Sequence, residues 1–276
     1  MARSFWSGNI SFGLVNIPVK LATAVREKSI HFHMLSPDGT CRLRRKLYCP
    51  ETGKEFDFNE TARGYEIAPG QYVILNEEEL DQLRPEAGRS IQIAQFVDAA
   101  EVDPIYYAST YYLQPDQAGV RPYRLLLEAM KKADRVAVAR FVMRQKEHLA
   151  LIRVREEALL LQTMYYADEV LGAEEAGAKT EAVQVPAREL QVAEQLVNAL
   201  TDKFDPSAFR DEYRLKVEQL IERKAAGEEV VTAAAAEEEA PRIINIMEAL
   251  EKSLKEARKA EKQAKTEHRR PRRKSA

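Results

Sequence analysis

The sequence predicts a mixed β/α fold, a strand-rich N-terminal part followed by amphipathic helices, and three stretches carry that prediction. Residues 5–21 alternate as strands do. Trp6, Ile10, Phe12 and Leu14 fall on even positions, and in an extended chain successive side chains point to opposite faces, so these four share one. Residues 136–165 hold further segments rich in β-branched and apolar residues, spaced as an antiparallel meander. Beyond Pro186 the apolar spacing becomes three and four, the period of a helix with one apolar stripe.

A chain of 276 residues supports one large or two smaller domains, and 45% hydrophobic content is ordinary for a globular protein. Two cysteines, Cys41 and Cys49, are too few for a disulfide framework and suit a reducing compartment. No stretch approaches the roughly 18–20 apolar residues of a membrane span, and Arg3 is followed by no unbroken apolar run. The reading is a soluble, cytoplasmic protein. The net charge of -2 conceals an asymmetry: from Lys252 to Ala276 eleven Lys or Arg stand against three Glu, a net of +8 that leaves -10 for residues 1–251. Nucleic-acid binding follows local potential rather than the total, so local clusters decide.

Within the first segment Gly8 leaves a gap in the apolar face. Val15, Ile17 and Val19 then occupy odd positions, so the facing flips near Gly13, where glycine supplies a bulge or bend. Asn16 and Pro18 mark an edge or a crossing between strands, because proline donates nothing to a ladder. Residues 29–58 read as extended segments around a turn at Ser36-Pro37-Asp38-Gly39. After it Arg42, Arg44 and Lys46 alternate, so a strand would point three cations to one face, with Leu43 and Leu47 opposite. With Arg45 they form one candidate phosphate-facing surface. The competing reading is a solvated edge strand protected from aggregation by its charges. His31 and His33, followed by Cys41 and Cys49, raise a zinc site, against a default of free or buried thiols and no metal.

Asn76 caps a short helix with Glu79 three positions on, Leu75 and Leu80 stand where a hydrophobic staple would place them, and the helix stops before Pro85. Ile91–Val97 and Tyr111–Leu113 read as strands. Tyr106, Tyr107, Tyr111 and Tyr112 offer either a base-stacking platform or ordinary core and interface aromatics, the commoner use of clustered strand tyrosines. Residues 121–155 carry ten Lys or Arg against three acidic residues, a net of +7. Here a helix should end near Asp134, with a strand over 136–142, a turn at Arg144–His148, and strands over 149–154 and 159–165. Arg140, Arg144, Lys146, Arg153 and Arg155 are the candidates for phosphate contact, because cations at hairpin tips and along one strand face can follow a phosphate track.

Pro186 can open a helix, with Leu190, Ala193, Val197, Leu200 and Phe204 as its stripe. Asp205-Pro206-Ser207 interrupts it, and Phe209, Tyr213, Val217 and Leu220 begin another. Residues 227–241 read as a linker, and Ile243, Met247, Leu250 and Leu254 as a short seam able to dock on something. Lys265, Arg269, Arg270, Arg272, Arg273 and Lys274 lie in a basic tail of the kind that binds nucleic acid. The sequence holds no P-loop, His-Glu-x-x-His, Gly-x-Ser-x-Gly or dinucleotide fingerprint, so the reading is a binding protein, not an enzyme, with no cofactor.

The run from Trp6 to Val19, Trp-Ser-Gly-Asn-Ile-Ser-Phe-Gly-Leu-Val-Asn-Ile-Pro-Val, resembles the opening segment of the bacterial Ku proteins, homodimeric DNA-end-binding factors of non-homologous end joining. Ala62-Arg63-Gly64-Tyr65-Glu66, Tyr111-Tyr112-Leu113, Arg121-Pro122-Tyr123 and Asp202-Lys203-Phe204 follow in the family's order, so the resemblance covers about residues 2–225. It implies an antiparallel β-barrel core whose strand insertions form a DNA-encircling ring in the dimer, and a helical C-terminal arm reaching over the partner subunit. The corresponding divisions are 1–185 for the core, 186–226 for the arm, 227–241 for the linker and 242–276 for the basic tail. The implied partners are double-stranded DNA ends, a second copy and an ATP-dependent DNA ligase. Many members carry a Cys-x-x-Cys pair resembling a zinc knuckle, which here is broken at Thr52. The alternatives are a nucleoid-associated or regulatory DNA-binding protein without sequence preference, and an unrecognised hydrolase.

Overall fold

The structure, a computed structural model, describes residues 4–83, 89–178, 183–227, 247, 249–256 and 259. The chain divides into two compact units, Met1–Ala178 and Lys179–Ala276. In chain order the first unit contains β1 (Ser4–Phe12), β2 (Val15–Thr23), β3 (Leu47–Tyr48), β4 (Glu55–Phe56), β5 (Arg63–Ala68), β6 (Gln71–Leu75), α1 (Glu77–Leu83), β7 (Ser90–Val97) and β8 (Tyr107–Pro115). Then follow α2 (Val120–Ala133), β9 (Val136–Met143), β10 (Lys146–Arg155) and β11 (Ala158–Met164).

Seven of these strands close a barrel in the order β1-β2-β8-β11-β10-β9-β7. The barrel is mixed rather than wholly antiparallel. It closes through a parallel pairing in which Asn9, Ile10 and Ser11 face Ser90, Ile91 and Gln92. A tight hairpin can only return antiparallel, whereas the long excursion between β2 and β7 leaves the direction of return free.

Alternation fills the barrel as the pattern requires. Ile10 on β1, Ile17, Val19 and Leu21 on β2, Ile91 on β7, and Ala137, Ala139 and Phe141 on β9 belong to one buried cluster. Trp6 packs against it, donates from Nε1 to the Val142 carbonyl at 3.1 Å, and meets Phe141 edge-on at 5.9 Å. Gly8 is required beside it, because a Cβ there would sit 2.2 Å from the Arg89 carbonyl oxygen and 2.3 Å from the Trp6 ring. The facing flip is a hairpin turn at Gly13 (φ 57°) and Leu14, with Phe12 paired to Val15. Leu14 is therefore in the turn and fully exposed, not on the inner face. Pro18 sits where β2 has no ladder partner on the β8 side. That pairing begins at Val19, and the Pro18 carbonyl accepts instead from the Asp116 N–H at 3.1 Å.

Helix α2 plugs the core with Tyr123, Leu126, Leu127 and Met130. It ends as expected at Asp134, which is left-handed (φ 51°), and the Arg135 N–H returns to the Met130 carbonyl. The Tyr123 hydroxyl donates to the Leu113 carbonyl at 2.8 Å and accepts from the Leu159 N–H at 2.7 Å, joining β8 to β11. Burial of this phenol raises its pKa above the ordinary value.

Between β2 and β7 the chain makes two small ribbons, β3-β4 and β5-β6, and the short helix α1. None of the described residues from 25 to 89 is buried. The capping expectation holds on one side, with the Asn76 N–H donating to Glu79 Oε2 at 2.9 Å.

The second unit contains α3 (Ala187–Leu200) and α4 (Glu212–Ala225). Between them Asp205 accepts from the Ser207 N–H, and Phe204 stacks on Phe209 at 6.1 Å. The expected stripe of α3 is corrected: Leu190, Val197, Leu200 and Phe204 are exposed, while Val192, Ala193, Leu196 and Ala199 are half-buried. The helix is apolar on two adjoining faces, and period alone does not say which one is the less exposed. Residues 228–246, most of the expected linker and the start of the seam, lie outside the described residues. Leu250 is half-buried and Leu254 buried. Among the described residues no helix is long and apolar enough to cross a membrane.

Candidate nucleic-acid interface

The first candidate surface starts from a well-made turn. Gly39 takes a φ of 73°, its N–H returns to the Ser36 carbonyl at 2.8 Å, and Leu35 bridges Arg42 across the turn. The Ser36 and Thr40 hydroxyls both donate to the Asp38 carboxylate, which lowers its pKa to about 2. Beyond Arg42 the expectation of a strand fails. Arg44 and Arg45 lie in no regular element, and only Leu47 and Tyr48 pair, with Glu55 and Phe56. With no ladder to hold a pleat, Arg42, Arg44 and Lys46 do not share a strand face. All four cations from Arg42 to Lys46 remain exposed, Lys46 held by Glu55 Oε2 at 2.7 Å.

The cations of the barrel are also divided. Arg140 is exposed on the outer face of β9, in register with Gln92 and Leu149. The turn is shorter than the expected 144–148. Arg144 and Gln145 alone make it, with φ of 52° and 68°, and Lys146 and His148 already belong to β10. His148 lies against Phe141 at 5.6 Å, and burial lowers its pKa. Lys146 Nζ stands 3.8 Å from Glu169. Arg153 is half-buried, and its Nε donates to Gln162 Oε1 at 2.7 Å, so it belongs to the barrel wall as much as to any surface. Arg155 is exposed at the far end of the strand. Lys146 and Arg155 are therefore about 30 Å apart along β10. Arg140, Arg144 and Lys146 gather at one end; Arg153 and Arg155 stand at the other.

The tail candidates Lys265, Arg269, Arg270, Arg272, Arg273 and Lys274 lie outside the described residues. His31 and His33 are in no strand, and among the described residues no group of three His, Cys, Asp or Glu is placed to hold a metal. Cys41 is exposed, and Cys49 is half-buried with its pKa lowered by a hydrogen bond donated by the side chain of Thr52, the residue at the broken knuckle position. Of the four tyrosines, one is shown packing on the core. Tyr111 packs against the barrel core and meets Phe5 edge-on at 5.3 Å, while Tyr106, Tyr107 and Tyr112 are half-buried.

One signal legible in the sequence emerges only when the insertion is seen as a unit. Residues 26–54 hold seven Lys or Arg against Glu27, Asp38 and Glu51, whereas residues 55–86 hold nine Asp or Glu against Arg63 and Arg84. The segment is electrically two-ended along its sequence, and the Arg42–Lys46 cluster is the centre of its positive half.

The model of the Ku70/Ku80 beta-barrel domain matches residues 11–192. The chain is similar to the "Non-homologous end joining protein Ku" of Anaeromyxobacter sp. (strain K), 42% identical over 265 residues, covering 94% of this chain and 87% of that protein. It is 39% identical over 268 residues to the protein of the same name from Heliobacterium modesticaldum, covering 95% of each. The namesake from Archaeoglobus fulgidus is 37% identical over 252 residues, covering 91% of this chain and 98% of that protein.

Proposed function

The chain belongs to the Ku family of non-homologous end-joining proteins, and from that premise we propose that it binds double-stranded DNA ends without sequence preference. It does so as a homodimer that encircles the duplex, and it recruits an ATP-dependent DNA ligase to the break. It is a binding protein and catalyses no step itself.

The observation that carries this reading is the insertion between β2 and β7. It leaves a closed barrel and, among its described residues, buries no side chain. A two-stranded ribbon by itself is marginal in water. The β5-β6 ribbon nevertheless exposes apolar groups on both faces, Tyr65 at 67% on one and Tyr72 at 63% on the other. Such a segment needs cover from outside the chain. A second copy supplies it for the apolar ribbon, and a duplex supplies counter-charge for Arg42, Arg44, Arg45 and Lys46. Arg140, Arg144, Lys146, Arg153 and Arg155 add phosphate contacts on the barrel, and the basic tail adds more. Cations on loops and hairpin tips reach phosphates rather than base edges, which gives affinity without sequence preference.

Topology supplies the test. A closed ring loads only from an end, so linear duplex should bind and a covalently closed circle should not. Labelled linear duplex is challenged with excess relaxed circle and, separately, with the same circle cut once. The cut form should compete and the intact form should compete poorly. Equal competition would remove the ring and leave the nucleoid-type reading in its place.

A further inference from the structure

Two of the candidate phosphate contacts already hold an anion. Lys46 Nζ stands 2.7 Å from Glu55 Oε2, and Lys146 Nζ stands 3.8 Å from Glu169 Oε1. Arg42, Arg44, Arg45, Arg140 and Arg144 have no carboxylate partner among the described residues. Both pairs are open to solvent, with side-chain exposures of 72% and 61% in the first and 65% and 40% in the second.

Each carboxylate is placed by the backbone that carries it. Glu55 lies on β4, where it faces Tyr48 while Phe56 faces Leu47, so the ribbon brings it beside the residue that precedes β3. Glu169 is clasped from behind: its Oε2 accepts from the Tyr166 N–H at 2.8 Å, and its own N–H donates to the Tyr166 carbonyl at 3.0 Å. Oε1 is left to face the lysine. This second pair stands at the root of the insertion. Strands β2, β9 and β11 end at Thr23, Met143 and Met164, while β7 and β10 begin at Ser90 and Lys146. Because every pairing from β2 through β8, β11, β10 and β9 to β7 is antiparallel, these termini share one end of the barrel. The insertion that carries Lys46 therefore leaves and returns at the end where Lys146 stands.

We propose that Glu55 and Glu169 are internal stand-ins for phosphate, which hold Lys46 and Lys146 in the free protein and compete with the duplex for them. The proposal rests on the DNA-binding reading above and adds what sets the strength of that binding. An ammonium is a compact point charge on a flexible stem, without the planar fork that ties a guanidinium to one anion geometry, so it passes from carboxylate to phosphate with little reorganisation. The exchange leaves Glu55 or Glu169 unpaired beside a polyanion, which offsets part of the gain from the new contact. The two lysines are therefore weaker and more readily reversed contacts than the arginines beside them, which eases stepping along the phosphate lattice.

The test uses the full chain and a short fluorescent linear duplex, followed by anisotropy across a salt series. Glu55→Gln and Glu169→Gln should each bind about two- to fivefold tighter at low salt, the weight of one exposed ion pair. The gain should shrink as salt rises, because the pair that was removed is itself screened. Glutamine keeps an oxygen for the Tyr166 N–H, so the melting temperature of Glu169→Gln should hold. The deciding arm is a double-mutant cycle. In a Lys146→Ala background Glu169→Gln should give no gain, whereas in a Lys46→Ala background its gain should persist. A gain that survives Lys146→Ala would overturn the proposal, since the carboxylate would then be repelling the duplex directly. Unchanged affinity in both single variants would also overturn it, while salt-dependent binding by the parent would leave the DNA-binding reading standing. A parent without salt-dependent affinity for the duplex would remove that reading and the proposal with it.

Discussion

Replacing Arg42, Arg44 and Arg45 together by alanine separates contact from fold. All three side chains are exposed and none is bonded to a carboxylate among the described residues, while Lys46, held by Glu55, is left in place. If each neutralises one phosphate, the slope of log K against log salt should fall in magnitude by about 2.7, at about 0.9 for each contact. Between 50 and 200 mM salt the parent should therefore lose about 40-fold more affinity than the variant. The loss should be the same for duplexes of unrelated sequence, because the contacts are to the backbone. The melting temperature should move by no more than about 2 °C, since exposed substitutions away from packed groups change stability by about 0.5 kcal/mol or less. The assay is a salt titration of binding to three linear duplexes of different composition. An unchanged slope would remove this cluster from the interface, and a loss confined to one duplex would refute a backbone-only contact.

Other perturbations follow from the geometry. Tyr123→Phe removes a hydroxyl that satisfies two buried backbone groups and should cost about 2–4 kcal/mol, or about 5–15 °C in Tm by calorimetry. Because burial raises the folded-state pKa of this tyrosine, its contribution is fully present below the unfolded value of 10.0 and declines as pH rises above it. The gap between parent and Tyr123→Phe should accordingly narrow in alkaline melts. Gly8→Ala forces a Cβ onto the Arg89 carbonyl and the Trp6 ring, and should cost about 1–3 kcal/mol or more and perturb tryptophan fluorescence. Normal stability and emission in that variant would show that the close approach at Gly8 is not held. Removing residues 252–276, a net charge of +8, should weaken DNA binding and flatten its salt dependence with the dimer intact, as read by sedimentation and salt titration. Unchanged affinity and slope would exclude the tail as a contact.

What the sequence determined by itself was local. Period-two alternation placed β1 and β2, since a pleated strand half-buried in a barrel repeats its environment every second residue, and runs rich in apolar and β-branched residues placed the strands from 136 onwards. Glycine signals placed the bend at Gly13 and the turn at Gly39, and the end of the apolar stripe placed the helix end near Asp134; at all three the backbone is left-handed. The motif from Trp6 to Val19 pointed to the family that the whole-chain similarities then established.

Tertiary structure decided everything that depends on which strand meets which, and on which of two faces is covered. The barrel closes through the parallel β1–β7 pair because of a return that no local pattern encodes. The alternation at Arg42, Arg44 and Lys46 has the form of a strand but lacks a partner to pair with, so the pleat never forms. On α3 two adjoining apolar faces have the same helical period, and the period does not say that Leu196 would be half-buried and Val197 exposed. An apolar groove of about 530 Å³ on the first unit joins Phe12, Phe96 and Leu125, residues whose separation in sequence hides them and whose proximity comes from barrel closure and the docking of α2.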